Sequence, residues 1–155
     1  MRLNELKQKF NNSGLTCLII KDGEEVFSSS DNGILPIVQG VSKMKGAIVA
    51  DKVIGKAAAL ICVHGGAVSV YANVMTTSAA EVFSENGILF DAEKMVEEIL
   101  NRDKTGLCPF EILGRDISCP KQALGKVVLK LLEFGADVDE NLAMGCGGGC
   151  CEKKH

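Results

Sequence analysis

Residues 47–75 read AIVADKVIGKAAALICVHGGAVSVYANVM, and this stretch indicates an α/β fold. Ala47–Ala50 is a short apolar run, which predicts a brief strand. Asp51 has a side chain suited to an N-cap, and it precedes Lys52–His64, an almost wholly apolar segment that predicts a buried helix ending at two glycines. Ala67–Met75 alternates apolar and polar residues and therefore predicts a further strand.

The sequence before this stretch predicts a helix and a hairpin. Leu3, Leu6 and Phe10 recur at helical spacing within residues 2–12. Asp22-Gly23, between the two strand-like runs Leu15–Lys21 and Glu24–Ser29, suits a two-residue type I′ turn.

The sequence after it alternates helix and strand again. Ser78 and Glu81 have capping-box spacing, Ile88–Phe90 suggests a short strand, and Asp91 suits the N-cap of a helix reaching about Asn101. Two Cys-Pro pairs then predict helix starts, a short helix at Cys108-Pro109 and a longer one from Cys119-Pro120 to about Phe134.

This order predicts a three-layer α/β/α sandwich with a mixed sheet, because a hairpin is followed by alternating strands and helices. We expect one domain over residues 1–134 and a flexible Gly/Cys-rich tail over residues 135–155.

Composition narrows the classes of partner. The chain has 155 residues with 17 basic and 20 acidic side chains, a formal net charge of −3, so nucleic acid and anionic membranes are not expected partners. The longest apolar run, Ala57–Val63, is too short to span a bilayer, and the first residues are polar. We therefore expect a cytoplasmic protein whose seven cysteines are mostly reduced thiols.

Three common nucleotide and metal motifs do not fit this sequence. Gly55-Lys56 is followed by Ala57 where a P-loop needs Ser or Thr, and no Gly-x-Gly-x-x-Gly follows a strand. A deaminase zinc site needs His-x-Glu and Pro-Cys-x-x-Cys, whereas His64 precedes two glycines and both Cys-Pro pairs have the reverse order.

Two segments carry a family resemblance. Ala50–Leu60 (ADKVIGKAAAL) and Asn101–Glu111 (NRDKTGLCPFE) resemble the two hallmark motifs of a family of uncharacterised bacterial and archaeal proteins. The resemblance, which covers residues 1 to about 134, implies a domain of unknown function with a cytidine-deaminase-like fold that lacks the zinc ligands. It implies that the helix after Asp51 replaces the first zinc-ligand segment, and that the Ser78 helix replaces the second.

The same two segments supply the candidate site residues. We expect a ligand to be bound by charged and polar side chains, namely Asp51, Lys56, Asn101, Arg102 and Thr105. Cys108 at a helix start and Glu111 are candidates for catalysis, although no reaction is indicated. The simpler interpretation is that Asp51 caps a helix and that the polar residues after Asn101 only form a turn.

The tail is a separate candidate site. Cys146, Cys150 and Cys151, with His155 nearby, are soft ligands that could bind a metal, and a redox-sensitive end is the alternative. No cofactor is expected in the core domain.

The leading hypothesis is a protein that binds an anionic or nucleotide-like small molecule on a zinc-free deaminase-like fold, with homo-oligomers allowed. A metal-binding or redox-sensing protein acting through the tail is the first alternative, and a non-catalytic interaction module is the second. The first hypothesis requires Asp51, Lys56, Arg102 and Glu111 to converge in one cleft.

Overall fold

A computed structural model describes residues 3–99, 108–139 and 142 of the chain. Within them, five strands form one sheet, and six α-helices and a short 3₁₀-helix (Val41–Lys43) surround it. The strands are β1 (Cys17–Lys21), β2 (Glu24–Ser29), β3 (Ile48–Ile54), β4 (Ser69–Thr76) and β5 (Leu89–Val96). The helices are α1 (Leu3–Ser13), α2 (Leu35–Gln39), α3 (Lys56–Gly65), α4 (Thr77–Glu85), α5 (Pro109–Gly114) and α6 (Pro120–Glu133).

The sheet is mixed, with the order β2-β1-β3-β4-β5. β1 pairs antiparallel with both β2 and β3, whereas β3, β4 and β5 are parallel. Asp22 and Gly23 have φ of 55° and 82°, as a type I′ turn requires, so the predicted hairpin is confirmed. The predicted starts of α5 and α6 at Pro109 and Pro120 are also confirmed.

The two faces of the sheet carry different layers. On one face, which we call the α1 face, Leu6 and Phe10 of α1 pack against strand residues that include Leu18 and Tyr71. On the other, the α3 face, a larger core joins α2, α3, α4 and α6 to the sheet. The α/β sandwich predicted from the sequence is therefore confirmed. No helix within the described ranges is long and apolar enough to cross a membrane.

The predicted boundary between the third strand and its helix is wrong. Asp51 is not a helix cap but lies inside β3, opposite Cys17 of β1 and Ala72 of β4. The helix begins at Lys56 after Gly55, so its start lies further along the chain than predicted. Pairing on both sides of β3 satisfies the backbone around Asp51, and this outweighs the local preference of Asp for a cap.

The segment after Asp91 is also different from the prediction. The sequence predicts a helix there, but β5 continues to Val96 and pairs with β4 from Ser69–Leu89 to Thr76–Val96. A row of helix-favouring residues becomes a strand because the open edge of β4 supplies backbone partners over its whole length. The cap of α4 is Thr76, whose Oγ1 accepts from the Ala79 N–H at 3.1 Å, and not Ser78.

A polar network fastens α1 to the sheet. The Tyr71 hydroxyl, on a fully buried residue, accepts from the amides of Asn11 (3.2 Å) and Asn73 (3.0 Å) and donates to Glu93 Oε1 at 3.3 Å. Lys7 Nζ lies 2.8 Å from the same Glu93 oxygen. Helix α1, strand β4 and the edge strand β5 are therefore connected through one hydroxyl.

Replacing Tyr71 by Phe is expected to lower the free energy of unfolding by about 1–3 kcal/mol, because two amides lose a buried acceptor. Urea unfolding would measure the loss. Asn11→Ala should cost less in the Tyr71→Phe background than in the wild type, and strictly additive losses would contradict this account.

Candidate functional site

A cavity of about 580 Å³ lies on the α3 face, beside the second half of β3. Its walls are mainly apolar and come from the loop before α2, from β3 and from α3, α5 and α6; they include Leu35, Val53, Ala58, Phe110, Leu131 and Phe134. The Phe110 and Phe134 rings lie 6.0 Å apart and nearly perpendicular. An apolar cavity with a few polar groups is the usual form of a small-molecule site.

The cavity collects three of the residues predicted from the sequence: Asp51, Cys108 and Glu111. They come from different elements, because Asp51 belongs to β3 while Cys108 precedes α5 and Glu111 lies within it. Residues that are distant in the chain thus face one space.

Asp51 is the most unusual polar group of the site. Its side chain is only 3% exposed and lies on the same face as Val49, two residues earlier in the strand. Oδ1 accepts from the Val53 N–H at 3.3 Å, whereas Oδ2 is buried and has no hydrogen-bond partner in the described part of the chain. Burial raises the pKa of this carboxyl to about 8 against the usual 3.8, so the neutral form predominates at pH 7.

Two buried thiols surround Asp51. Cys17 of β1 is its partner across the strand pair, and Cys62 lies on α3 above it; both are free. Burial raises the pKa of both thiols, and the nearby Asp51 carboxyl raises the pKa of each further. These cysteines are therefore protonated core residues and not nucleophiles.

Cys108 differs from these two because it is half-buried and lines the cavity as the residue before α5. It is a free thiol. No histidine is among the described residues that line the cavity, and His64 lies at the far end of α3. A nucleophilic role for Cys108 stays a prediction without a base in the described site.

Glu111 joins α5 to the start of α3. Its Oε2 accepts from the Ile99 N–H at 2.8 Å, and its Oε1 would lie 2.9 Å from a Cβ built on Gly55. The Cys108 N–H donates to the Ile99 carbonyl at 2.9 Å, so Ile99 is bound twice to the start of α5. Gly55 has no side chain, and this allows Glu111 and Ile99 to approach the helix end closely.

Lys56 lies outside this cavity. It borders a smaller groove of about 220 Å³ together with Ser78, Glu97, Glu98, Glu111 and Arg115. Its Nζ donates to the Arg115 carbonyl at 3.3 Å. Glu111 borders both spaces, so the structure brings Asp51 and Glu111 to one cavity and places Lys56 in the neighbouring groove.

The remaining predicted site residues lie outside the described residues: Asn101, Arg102, Thr105, Cys146, Cys150 and Cys151. Ile99 and Cys108, which flank residues 100–107, both line the cavity. Within the described ranges no three His, Cys, Asp or Glu side chains are placed to hold a metal ion. The ligand role of the loop and the metal or redox role of the tail stay predictions.

Several residues that shape the site were not singled out from the sequence. Phe110 and Phe134 look like ordinary core residues, and Gly55 is informative only once Glu111 is known to touch it. Cys17 meets Asp51 through strand register alone. Gly55 could have indicated this contact from the sequence, because a glycine at a helix start often allows close approach of another group.

Comparisons with known proteins agree on one family. Residues 5–130 match the family described as a domain of unknown function (DUF1893). The crystal structure of a DUF1893 family protein from Thermotoga maritima superposes with a TM-score of 0.76 at 27% sequence identity, covering 83% of this chain and 88% of that one. No curated protein matches. The relation to cytidine deaminases stays a prediction, whereas the matched residues span both hallmark segments, and the chain belongs to the DUF1893 family.

Proposed function

We propose that this protein binds a small organic molecule in the cavity between β3, α3, α5 and α6. One observation carries the proposal: a cavity of about 580 Å³ with apolar walls brings together Asp51, Cys108 and Glu111. A cavity of this size suits a ligand with one or two rings. Cys108 and Glu111 line the same cavity, and we propose no reaction for them.

The sequence suggests two ligand classes, simple anions and nucleotide-like molecules. The walls of the cavity favour a nucleotide-like molecule. Phe110 and Phe134 offer ring faces and edges against which a flat molecule can pack. Lys52 is the one cationic side chain among the described lining residues, and it is exposed. Charged parts of a ligand would therefore lie near the mouth, where water still solvates them.

Filling the mouth of the cavity tests the proposal. Val53 lines the cavity and is 42% exposed, so Val53→Trp should obstruct it without disturbing the core. Val68 is 50% exposed and lies outside the cavity, which makes Val68→Trp the matched control. Thermal-shift and calorimetric titration with nucleobases, nucleosides, nucleotides and aromatic carboxylates would identify a binder.

We expect the dissociation constant of any binder to rise by about tenfold or more in Val53→Trp and to stay within about twofold in Val68→Trp. Equal binding by both variants would place the ligand elsewhere and refute the proposal.

Lys56→Ala distinguishes the cavity from the neighbouring groove. A ligand confined to the cavity should bind this variant as it binds the wild type, because Lys56 borders the groove and not the cavity. A loss of about tenfold in affinity would instead show that the ligand extends into the groove, and that the predicted role of Lys56 is right.

A further inference from the structure

We infer that the Glu111 carboxylate, where α5 meets the start of α3, anchors the hydrogen-bond donor edge of the molecule that binds in the cavity. The chemical class is a planar aromatic molecule with two neighbouring N–H groups, as in an amidine or in a ring N–H beside an amino group. This inference rests on the proposed function and names the class of its ligand.

The position of Glu111 brings its carboxylate to the wall of the cavity. The residue is only 9% exposed and lines the cavity together with Gly55. Its Oε1 would lie 2.9 Å from a Cβ built on Gly55, so this oxygen occupies the place that a side chain at position 55 would fill. Gly55 and Glu111 thus form one piece of the wall, and a molecule in the cavity would meet the carboxylate there.

The hydrogen-bonding capacity of Glu111 exceeds what the described residues use. Oε2 accepts from the Ile99 N–H at 2.8 Å, and this bond holds the carboxylate in place. A carboxylate offers about four acceptor positions, so the described residues leave most of them to other donors. Buried polar atoms in folded proteins are nearly always satisfied by protein, water or ligand. A ligand with two donors side by side would use both oxygens.

The charges around Glu111 favour a donor and disfavour an anion. The two cations that border the neighbouring groove have other partners: Lys56 Nζ donates to the Arg115 carbonyl at 3.3 Å, and the Arg115 guanidinium lies 3.5 Å from Glu98. Within the described ranges, no lysine or arginine lies within ion-pair distance of the Glu111 carboxylate. A buried carboxylate without a cationic partner gains from a bound N–H donor and repels a second carboxylate.

The apolar walls beside Glu111 select the shape of the ligand. Phe110, its neighbour in α5, lines the cavity together with Phe134, and the two rings lie 6.0 Å apart. Aromatic rings bind flat molecules by stacking or edge contacts, and their faces attract cationic groups such as an amidinium. Away from bulk water, a hydrogen bond from such a group to a carboxylate is stronger than one between neutral partners.

Three probes with the same benzene ring separate the donor edge from its alternatives. Benzamidine has donors on both sides of its head group, benzamide has donors on one side, and benzoate has acceptors only. Methyl NMR spectra of the full chain would follow Ala57, Ala58 and Leu131, which line the cavity, during titration at pH 7. We expect benzamidine to bind tightest and benzoate weakest, with dissociation constants that differ by about tenfold or more.

Glu111→Gln keeps the size of the side chain and an acceptor for the Ile99 N–H, but it loses the charge and the second acceptor oxygen. It should weaken benzamidine binding by about tenfold or more and change benzamide binding by less than about threefold. Glu98→Gln is the matched control, because it removes the same charge from a residue that borders the groove and not the cavity; benzamidine affinity should stay within about twofold. The spectra show whether each variant is folded, and the ranking of the probes needs the wild type alone.

Three results overturn the inference: binding of benzamide or benzoate at least as tight as that of benzamidine, unchanged benzamidine affinity in Glu111→Gln, or equal losses in Glu111→Gln and Glu98→Gln. If benzamide or benzoate moves the cavity methyls and benzamidine does not, the proposed function survives without this anchor. If none of the three probes moves them, the proposed function fails as well.

Discussion

Raising the pH from 5 to 7 is expected to destabilise this protein by about 1.4 kcal/mol per pH unit through Asp51 alone. Its pKa is about 8 in the folded chain, because of burial, against an ordinary value of 3.8. The folded state therefore holds a proton that the unfolded state releases. The stabilisation is complete below the ordinary pKa and is lost progressively as the pH rises through the folded one.

The comparison that isolates this effect is with Asp51→Asn, measured by urea unfolding at pH 5, 6 and 7. The amide introduced by this substitution does not titrate, so the difference in unfolding free energy between variant and wild type should grow in favour of the variant with each pH unit. His64 acts in the opposite sense, because burial lowers its pKa, but it contributes equally to both proteins and cancels.

Asp116→Asn is the matched control, because it removes an exposed carboxyl beyond α5. Its stability profile should run parallel to that of the wild type. Parallel profiles for Asp51→Asn and the wild type between pH 5 and 7 would show that Asp51 is ionised in the folded protein.

Replacing Gly55 by Ala is expected to cost about 1–3 kcal/mol of stability and to weaken ligand binding, since the new methyl group must displace the Ile99 side chain and the Glu111 carboxylate, which the Ile99 N–H holds in place. The added Cβ would lie 2.8 Å from Ile99 Cδ1 and 2.9 Å from Glu111 Oε1. With φ of −101° and ψ of −173°, Gly55 has a backbone that Ala adopts freely, so the cost is steric. The usual gain from restricting the unfolded chain, about 0.4–1 kcal/mol, is smaller than this cost.

A double variant separates the two contacts. Ile99→Val deletes the Cδ1 atom, so Gly55→Ala should cost less in that background than in the wild type, as urea unfolding would show. An equal cost of Gly55→Ala in the two backgrounds would contradict the close approach of Ile99 to the α3 end.

The sequence located much of the site but not its arrangement. Asp51, Cys108 and Glu111 were predicted from polar residues in two hallmark segments, and all three line one cavity. Lys56 was predicted to join them because its neighbours in the sequence are apolar on nearly every side, which favours a cleft. The structure separates Lys56 from Asp51 because Gly55 lies between a strand and a helix, and the direction of the side chains changes there.

The sequence alone determined the hairpin turn, the starts of α5 and α6 and the burial of the apolar helices, because the local preferences there are strong. Asp22-Gly23 requires a left-handed turn, the prolines at 109 and 120 begin helices, and the apolar residues of α3 and α6 indicate their burial. These features depend on backbone and side-chain preferences within a few residues.

Tertiary structure alone decided the extent of β3 and β5 and the chemistry of Asp51. Both strands are extended by pairing with β4, a partner distant in the sequence, which overrides their helical appearance. Asp51 is an ordinary helix-capping residue in its local sequence, and it becomes a buried, neutral carboxyl only because Cys17, Cys62 and the walls of the cavity exclude water from it. The burial of Asp51 is a property of the assembled layers, and the residues next to it in the sequence do not indicate it.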